Sequence, residues 1–126
     1  NKNFARNLFE CVGKVIWLKK ESDINKVTAI SGSGPAYYFL FIEHLISKAV
    51  LLGLKPSVAK ELIYQTGIGS LELLIKNHIS ANELRKIIAV KGGTTEAAIN
   101  VFEKNSKLKK IIGQAVDAAY YKAIKL

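Results

Sequence analysis

The sequence predicts an all-α domain, a bundle of several antiparallel helices. Three observations carry this. Apolar side chains recur at i, i+3 and i+4 in nearly every segment, the spacing of one helix face. Helix start and stop signals fall between those segments: Pro35, Pro56, the run Ser80-Ala81-Asn82-Glu83 and the pair Gly92-Gly93. One β-like run, Val15-Ile16-Trp17-Leu18, has no second strand pattern downstream, and a lone strand cannot satisfy its own ladder.

Taken in order, Phe4, Leu8, Cys11 and Val12 define a first one-faced helix, stopped by Gly13. The β-branched and aromatic run 15–18 follows, closed by Lys19-Lys20. It is either not a strand here, or its partners lie in sequence outside this chain. The chain begins at Asn1 and contains no methionine, so the second explanation is preferred and a processed chain or fragment is expected. Ser22 and Asp23 open the next helix, with Ile24, Val27 and Ile30 on one side. Ser31-Gly32-Ser33-Gly34-Pro35 is read as a break and a second helix start, with Pro35 suited to the first position.

Ala36 to Leu52 is the most apolar helix. Its polar residues Glu43, His44, Ser47 and Lys48 form one narrow stripe, so burial on most sides is expected, against another subunit as well as its own core. Gly53-Leu54-Lys55-Pro56 turns into a helix that runs to about Asn77. Gly67 and Gly69 each cost about 1 kcal/mol against alanine in that interior, which predicts a tightly packed neighbour. Ser80-x-x-Glu83 matches a capping box, and Leu84, Ile87 and Ile88 are expected to face inward. Another helix follows Gly92-Gly93, with Ala98, Val101 and Phe102 on one face. Asn105-Ser106 breaks it, and a last helix reaches Ile124 with small residues Gly113, Ala115, Ala118, Ala119 and Ala123.

Composition narrows the function classes. The length of 126 residues suits one domain with a core. No apolar run reaches the roughly 18 residues of a membrane span. The single Cys11 forms no internal disulfide and fits a reducing, cytoplasmic setting; its neighbours Phe9 and Val12 suggest a core thiol. With two histidines, a histidine-based metal site is not expected. The net charge of +9 raises nucleic acid as a partner. Yet the lysines are spread along the chain, with a modest cluster at Lys104, Lys107, Lys109 and Lys110, and arginine occurs only at Arg6 and Arg85. A solvated lysine surface is the simpler reading.

The stretch with the most chemistry is Lys91-Gly92-Gly93-Thr94-Thr95-Glu96. Glycines followed by a helix N-terminus give close backbone approach, unpaired N–H groups and the positive end of a dipole, which together make an anion cradle. The plainer reading is a helix start with Thr94 or Thr95 as N-cap. The Gly32–Pro35 segment is a weaker anion site, since Pro35 donates no N–H.

Residues 27–38 read VTAISGSGPAYY and residues 84–98 read LRKIIAVKGGTTEAA. In that order and at that spacing, with the Gly53-Leu54 turn between, the chain resembles the pyrroline-5-carboxylate reductase family over residues 1–126. The resemblance implies an N-terminal Rossmann domain that binds NADPH or NADH, followed by a helical C-terminal domain of the dehydrogenase type that forms an intertwined homodimer, with further assembly of dimers left open. Residues 1–20 would then be the last helix and strand of the Rossmann domain, and 21–126 the dimerisation and substrate-binding domain. The G-x-G-x-x-G fingerprint is absent from the sequence, so the chain alone is expected to be inactive. The implied reaction reduces 1-pyrroline-5-carboxylate to L-proline in proline biosynthesis.

By the same resemblance, the Gly93, Thr94 and Thr95 amides would bind the substrate carboxylate. The Thr95 hydroxyl would act catalytically at the ring nitrogen. Ser33, Gly34 and Pro35 would lie near the nicotinamide end, contributed by the partner subunit. Many family members carry Ser-Pro before the two glycines where this chain has Val90-Lys91. Val90 thus replaces a polar group of the substrate-binding set, the loop loses a rigid proline, and Lys91 either attracts an anion or faces solvent. Two other readings stay open from the residues: a lysine-rich helical module that binds nucleic acid or another macromolecule, and a related enzyme acting on a different small carboxylate-bearing imine or oxo acid.

Overall fold

A computed structural model describes residues 2–125. Among them every regular element is helical. The elements are α1 (Lys2–Glu10), α2 (Asp23–Val27), a π-turn (Thr28–Gly32), α3 (Gly34–Leu51), α4 (Pro56–Asn77), α5 (Ala81–Ile88), α6 (Thr94–Glu103), a 3₁₀ turn (Lys104–Ser106) and α7 (Lys107–Ile124).

The segment expected to be a strand, Val15 to Leu18, forms no ladder. Nothing in the described residues offers it a second strand, so its backbone groups have no sheet to join. Cys11 is also not the core thiol expected from its neighbours. It is exposed, and its Sγ lies 3.4 Å from the Asn7 carbonyl one turn back.

The passage from α2 to α3 differs from the expected break. Ser33 holds helical dihedrals, φ −83° and ψ −19°, so the chain continues on a helical path through both glycines. The path widens instead. The Ser33 N–H, which in an α-helix would close on the Ala29 carbonyl, reaches one residue further back to Thr28 O at 2.8 Å. The widening falls where a regular helix would drive the Pro35 ring into the Ser31 carbonyl. The released Ala29 carbonyl accepts a bond from the Tyr37 hydroxyl at 2.9 Å, which matters because Ala29 is 1% exposed.

Other connections match their sequence signals. Gly53, at φ +99°, ends α3 in a Schellman motif: Gly53 N–H bonds Val50 O at 2.9 Å and Leu54 N–H bonds Ala49 O at 3.1 Å. Pro56 then opens α4, about 33 Å long at 1.5 Å per residue. Ser80 caps α5 with the full reciprocal box. Its Oγ accepts the Glu83 N–H at 3.2 Å and its N–H donates to Glu83 Oε2 at 3.1 Å. Asn105 and Ser106, both at φ +56°, turn the chain into α7.

Packing within the chain is sparse. α3 lies on α4, and α7 packs on α2, the π-turn and α6, through a half-buried face of Val116, Ala119, Tyr120 and Ala123. The fully buried apolar side chains among the described residues are Ala29 and Ala59. The apolar face of α3 is open, with Phe39 67% exposed. Ile87 and Ile88 of α5, expected to face inward, are exposed too. The chain keeps 10866 Å² in contact with solvent, where a compact monomer of this length would keep about 6,700 Å². Nor do Gly67 and Gly69 meet a close neighbour: a Cβ at either would find no atom within 4 Å. The chain by itself supplies only part of the cover that its apolar faces and small residues call for.

Candidate functional site

The loop between α5 and α6 is built from two consecutive tight turns. Ala89, at φ −82° and ψ 71°, is the centre of an inverse γ-turn, in which Val90 N–H bonds Ile88 O at 3.0 Å. A β-turn over residues 90–93 follows, closed by Gly93 N–H to Val90 O at 3.0 Å. Its third residue, Gly92, sits at φ +77°, the left-handed position that a type II turn reserves for glycine. Gly93 needs its missing side chain for another reason. A Cβ there would stand 3.1 Å from Val90 O and 3.2 Å from Val90 Cγ2.

Gly93 is also the N-cap of α6, extended at φ −86° and ψ 167°, with no side chain to cap the helix. Thr94 and Thr95, the caps expected on the plainer reading, are instead the first two helical residues. The Gly93 carbonyl accepts the Ala97 N–H at 3.3 Å. The Thr94, Thr95 and Glu96 N–H groups find no acceptor among the described residues. They are the orphan donors of a first helical turn, at the positive end of the α6 dipole. Thr95 is half-buried and Thr94 exposed. The Gly93 N–H, expected as an anion donor, is used inside the turn.

One residue outside the predicted set organises this loop. Glu96 Oε2 accepts the Gly92 N–H at 2.7 Å. The signal was present in the sequence, since a glutamate three residues after an N-cap reaches back, but a glycine in the cap position hides the motif. Tyr37, which holds the π-turn, was likewise invisible, because the carbonyl it bonds is freed only by the widened turn.

Val90, Gly93, Thr94 and Thr95 thus share one short loop. Ser33, Gly34 and Pro35 lie apart from it in the chain, at the junction of the π-turn and α3, where Ser33 is half-buried, Gly34 buried and Pro35 exposed. α7 packs against both the π-turn and α6. A groove along α4 lined by Val58, Glu61, Leu62, Gln65 and Thr66 includes neither set. No group of metal-binding side chains occurs among the described residues.

Charge shifts are few. The Ser80 hydroxyl, then its backbone N–H, hold the Glu83 carboxyl below its usual range. The Asp23 carboxylate, bonded to Lys26 at 2.7 Å, holds that ammonium above its usual range, by the hydrogen bond first and the charge second.

Comparison with known proteins decides the lineage. Residues 21–126 match the family described as Pyrroline-5-carboxylate reductase dimerisation. The chain belongs to that family. Among relatives, a pyrroline-5-carboxylate reductase of Vibrio alginolyticus is 38% identical over 124 residues, 98% of this chain and 45% of the relative. A pyrroline-5-carboxylate reductase structure from Coxiella burnetii superposes with a TM-score of 0.92 at 40% identity, covering 98% of this chain and 46% of that one. A Plasmodium falciparum pyrroline carboxylate reductase structure with NADP bound gives 0.89 at 38% identity over 97% of this chain and 46% of its own. The chain therefore spans less than half the length of the reductases it matches. What it shares with them includes the portion described as dimerisation, residues 21–126.

Proposed function

We propose that this chain is the dimerisation and substrate-binding portion of a pyrroline-5-carboxylate reductase. In the complete protein it would hold 1-pyrroline-5-carboxylate for NADPH- or NADH-dependent reduction to L-proline. The observation that carries the reading is the Val90–Thr95 loop, which leaves an uncapped helix N-terminus beside a half-buried threonine hydroxyl. The orphan amides of Thr94 and Thr95 suit a carboxylate. Gly93 and Val90 shape the approach, Gly93 by having no side chain and Val90 by closing the turn with its carbonyl. The Thr95 hydroxyl bonds the ring nitrogen. As the imine carbon receives a hydride, that nitrogen takes a proton supplied by solvent through the Thr95 hydroxyl, which hands one on and receives another, and Thr95 keeps the imine oriented for the transfer. The nicotinamide cofactor supplies the hydride when bound. Ser33, Gly34 and Pro35 would line its approach, Pro35 exposed and Ser33 half-buried, with Gly34 adding no side chain between them.

The partner in this reading is a second copy of the chain, covering the apolar faces that one copy leaves in water. The complete enzyme would work in the cytoplasm, where the free exposed Cys11 stays reduced. No helix of the described residues is long and apolar enough to cross a membrane. The deciding experiment is an assay of the protein with its N-terminal portion restored. NAD(P)H oxidation is followed with 1-pyrroline-5-carboxylate, other cyclic imines and small oxo acids. Turnover greatest on 1-pyrroline-5-carboxylate is expected, and preference for an oxo acid would overturn the substrate assignment. Sedimentation at micromolar concentration is expected to give a dimer; a monomer would remove the second copy from the proposal.

A further inference from the structure

We infer that Glu96 is a positioning residue of the loop, whose carboxylate fixes the Gly92 turn so that the Thr94 and Thr95 amides, and not the glycine amides, face the ligand. The inference about ligand binding rests on the function proposed above; the inference about loop geometry does not.

Each N–H group of the loop can be followed to its acceptor. From Gly92 to Ala97 there are six N–H groups. Gly92 donates to Glu96 Oε2 at 2.7 Å, Gly93 to Val90 O at 3.0 Å and Ala97 to Gly93 O at 3.3 Å. The three left over are consecutive, Thr94 to Glu96, at the helix end. The start of α5 shows the alternative within the same chain. There Ser80 Oγ accepts the Glu83 N–H while the Glu83 carboxylate takes the Ser80 N–H, so a side-chain oxygen lies on the helix end and takes the third of its three free donors, leaving those of Ala81 and Asn82. At α6 the cap is glycine, with no oxygen to lay on those donors. The glutamate at the same helical position cannot take the cap N–H, which Val90 O already holds, so it reaches one residue further back to Gly92. The turn is held, and the helix end stays open.

This arrangement has an electrostatic side. The Glu96 carboxylate is a negative charge at the helix terminus proposed to receive another carboxylate. Its hydrogen bond aids binding by fixing the turn, while its charge opposes an anionic ligand. The two contributions separate in two substitutions. Glu96→Gln keeps an oxygen for the Gly92 N–H and removes the charge. Glu96→Ala removes both.

The test uses the complete enzyme with Glu96→Gln and Glu96→Ala, read by amide hydrogen exchange across residues 88–97 and by steady-state kinetics. Wild type and Glu96→Gln are expected to protect the Gly92 amide. Glu96→Ala is expected to exchange it about tenfold faster. The KM for 1-pyrroline-5-carboxylate is expected to rise about tenfold in Glu96→Ala, the worth of one charge-assisted hydrogen bond, with kcat and the cofactor KM little changed. In Glu96→Gln it is expected at or below wild type, which a purely structural role would not produce. Equal exchange in all three proteins, or a KM for Glu96→Gln as high as for Glu96→Ala, would overturn the inference. Should Glu96→Ala not fold, an unprotected Gly92 amide in wild type or Glu96→Gln would overturn it equally. If wild type does not turn over 1-pyrroline-5-carboxylate at all, the proposed function fails, while the exchange measurement still decides whether Glu96 holds the loop.

Discussion

Two glycine-containing segments of this chain look alike as sequence and behave oppositely as structure. Gly32-Ser33-Gly34-Pro35 and Gly92-Gly93-Thr94-Thr95 each place two glycines before an apolar helix. At the first, the backbone never leaves the helical region and the widened turn is absorbed by Tyr37. At the second, the chain makes a left-handed step at Gly92 and then starts a helix with its donors unused. The difference lies in where the N–H groups go. Pro35 has none to offer, so the path around it is settled by carbonyls that need partners. Every residue from Gly92 to Ala97 has one, so that loop is settled by donors, and three of them are left without an acceptor.

Four measurements test this contrast. Thr95→Ala in the complete enzyme is expected to lower kcat about a hundredfold without changing the unfolding midpoint; unchanged kinetics would remove Thr95 from the chemistry. Tyr37→Phe leaves the buried Ala29 carbonyl without its bond and is expected to destabilise by about 1–3 kcal/mol in urea unfolding. Its effect should fall on the π-turn side, with the KM for the imino acid preserved. The glycines themselves form the third test. Gly92→Ala forces an alanine to φ +77° and is expected to cost about 1–2 kcal/mol. Gly34→Ala, on a helical path with free space around the new methyl, is expected to be stabilising by about 0.4–1 kcal/mol. If Gly34→Ala also raises the cofactor KM, the free space belongs to the cofactor.

The fourth test concerns pH. The folded-state carboxyl of Glu83 lies below its ordinary value of 4.5, so folding favours the carboxylate. The contribution of the capping box is complete above pH 4.5 and is lost as pH falls through the depressed folded-state value. Helicity of α5, followed by exchange or by Ser80 and Glu83 chemical shifts, is expected to decline in that acid range. Since α6 lacks a Ser cap, the N–H of residue 96 should show no matching loss of a side-chain oxygen bond.

Helix positions were legible wherever the signal is local. The Ser80 box, the Gly53 stop with Pro56 after it, and the Asn105-Ser106 break each rest on the chemistry of a few adjacent residues, and each is found. The Gly92-Gly93 turn and the helix start after it were legible for the same reason. Three things were not legible. Burial was misjudged at Ile87, Ile88 and Cys11, because periodicity shows which face is apolar and not what covers it. The π-turn was missed because Gly and Pro read as punctuation, whereas the helix continues through them. The Glu96 bond was missed because a capping pattern is recognised by its Ser or Thr, and here the cap is a glycine.

If a second copy covers its apolar faces as proposed above, part of the 10866 Å² that this chain leaves in water is buried only on association, and its native state becomes a matter of mass action. For a fold whose core is completed by a second copy, stability is not a constant of the molecule. It falls by about 1.4 kcal/mol for each tenfold dilution of chains. Heating or denaturant curves taken at two concentrations will therefore not overlay. A cell making little of the protein would hold a larger unfolded share than one making much, with the same sequence in both.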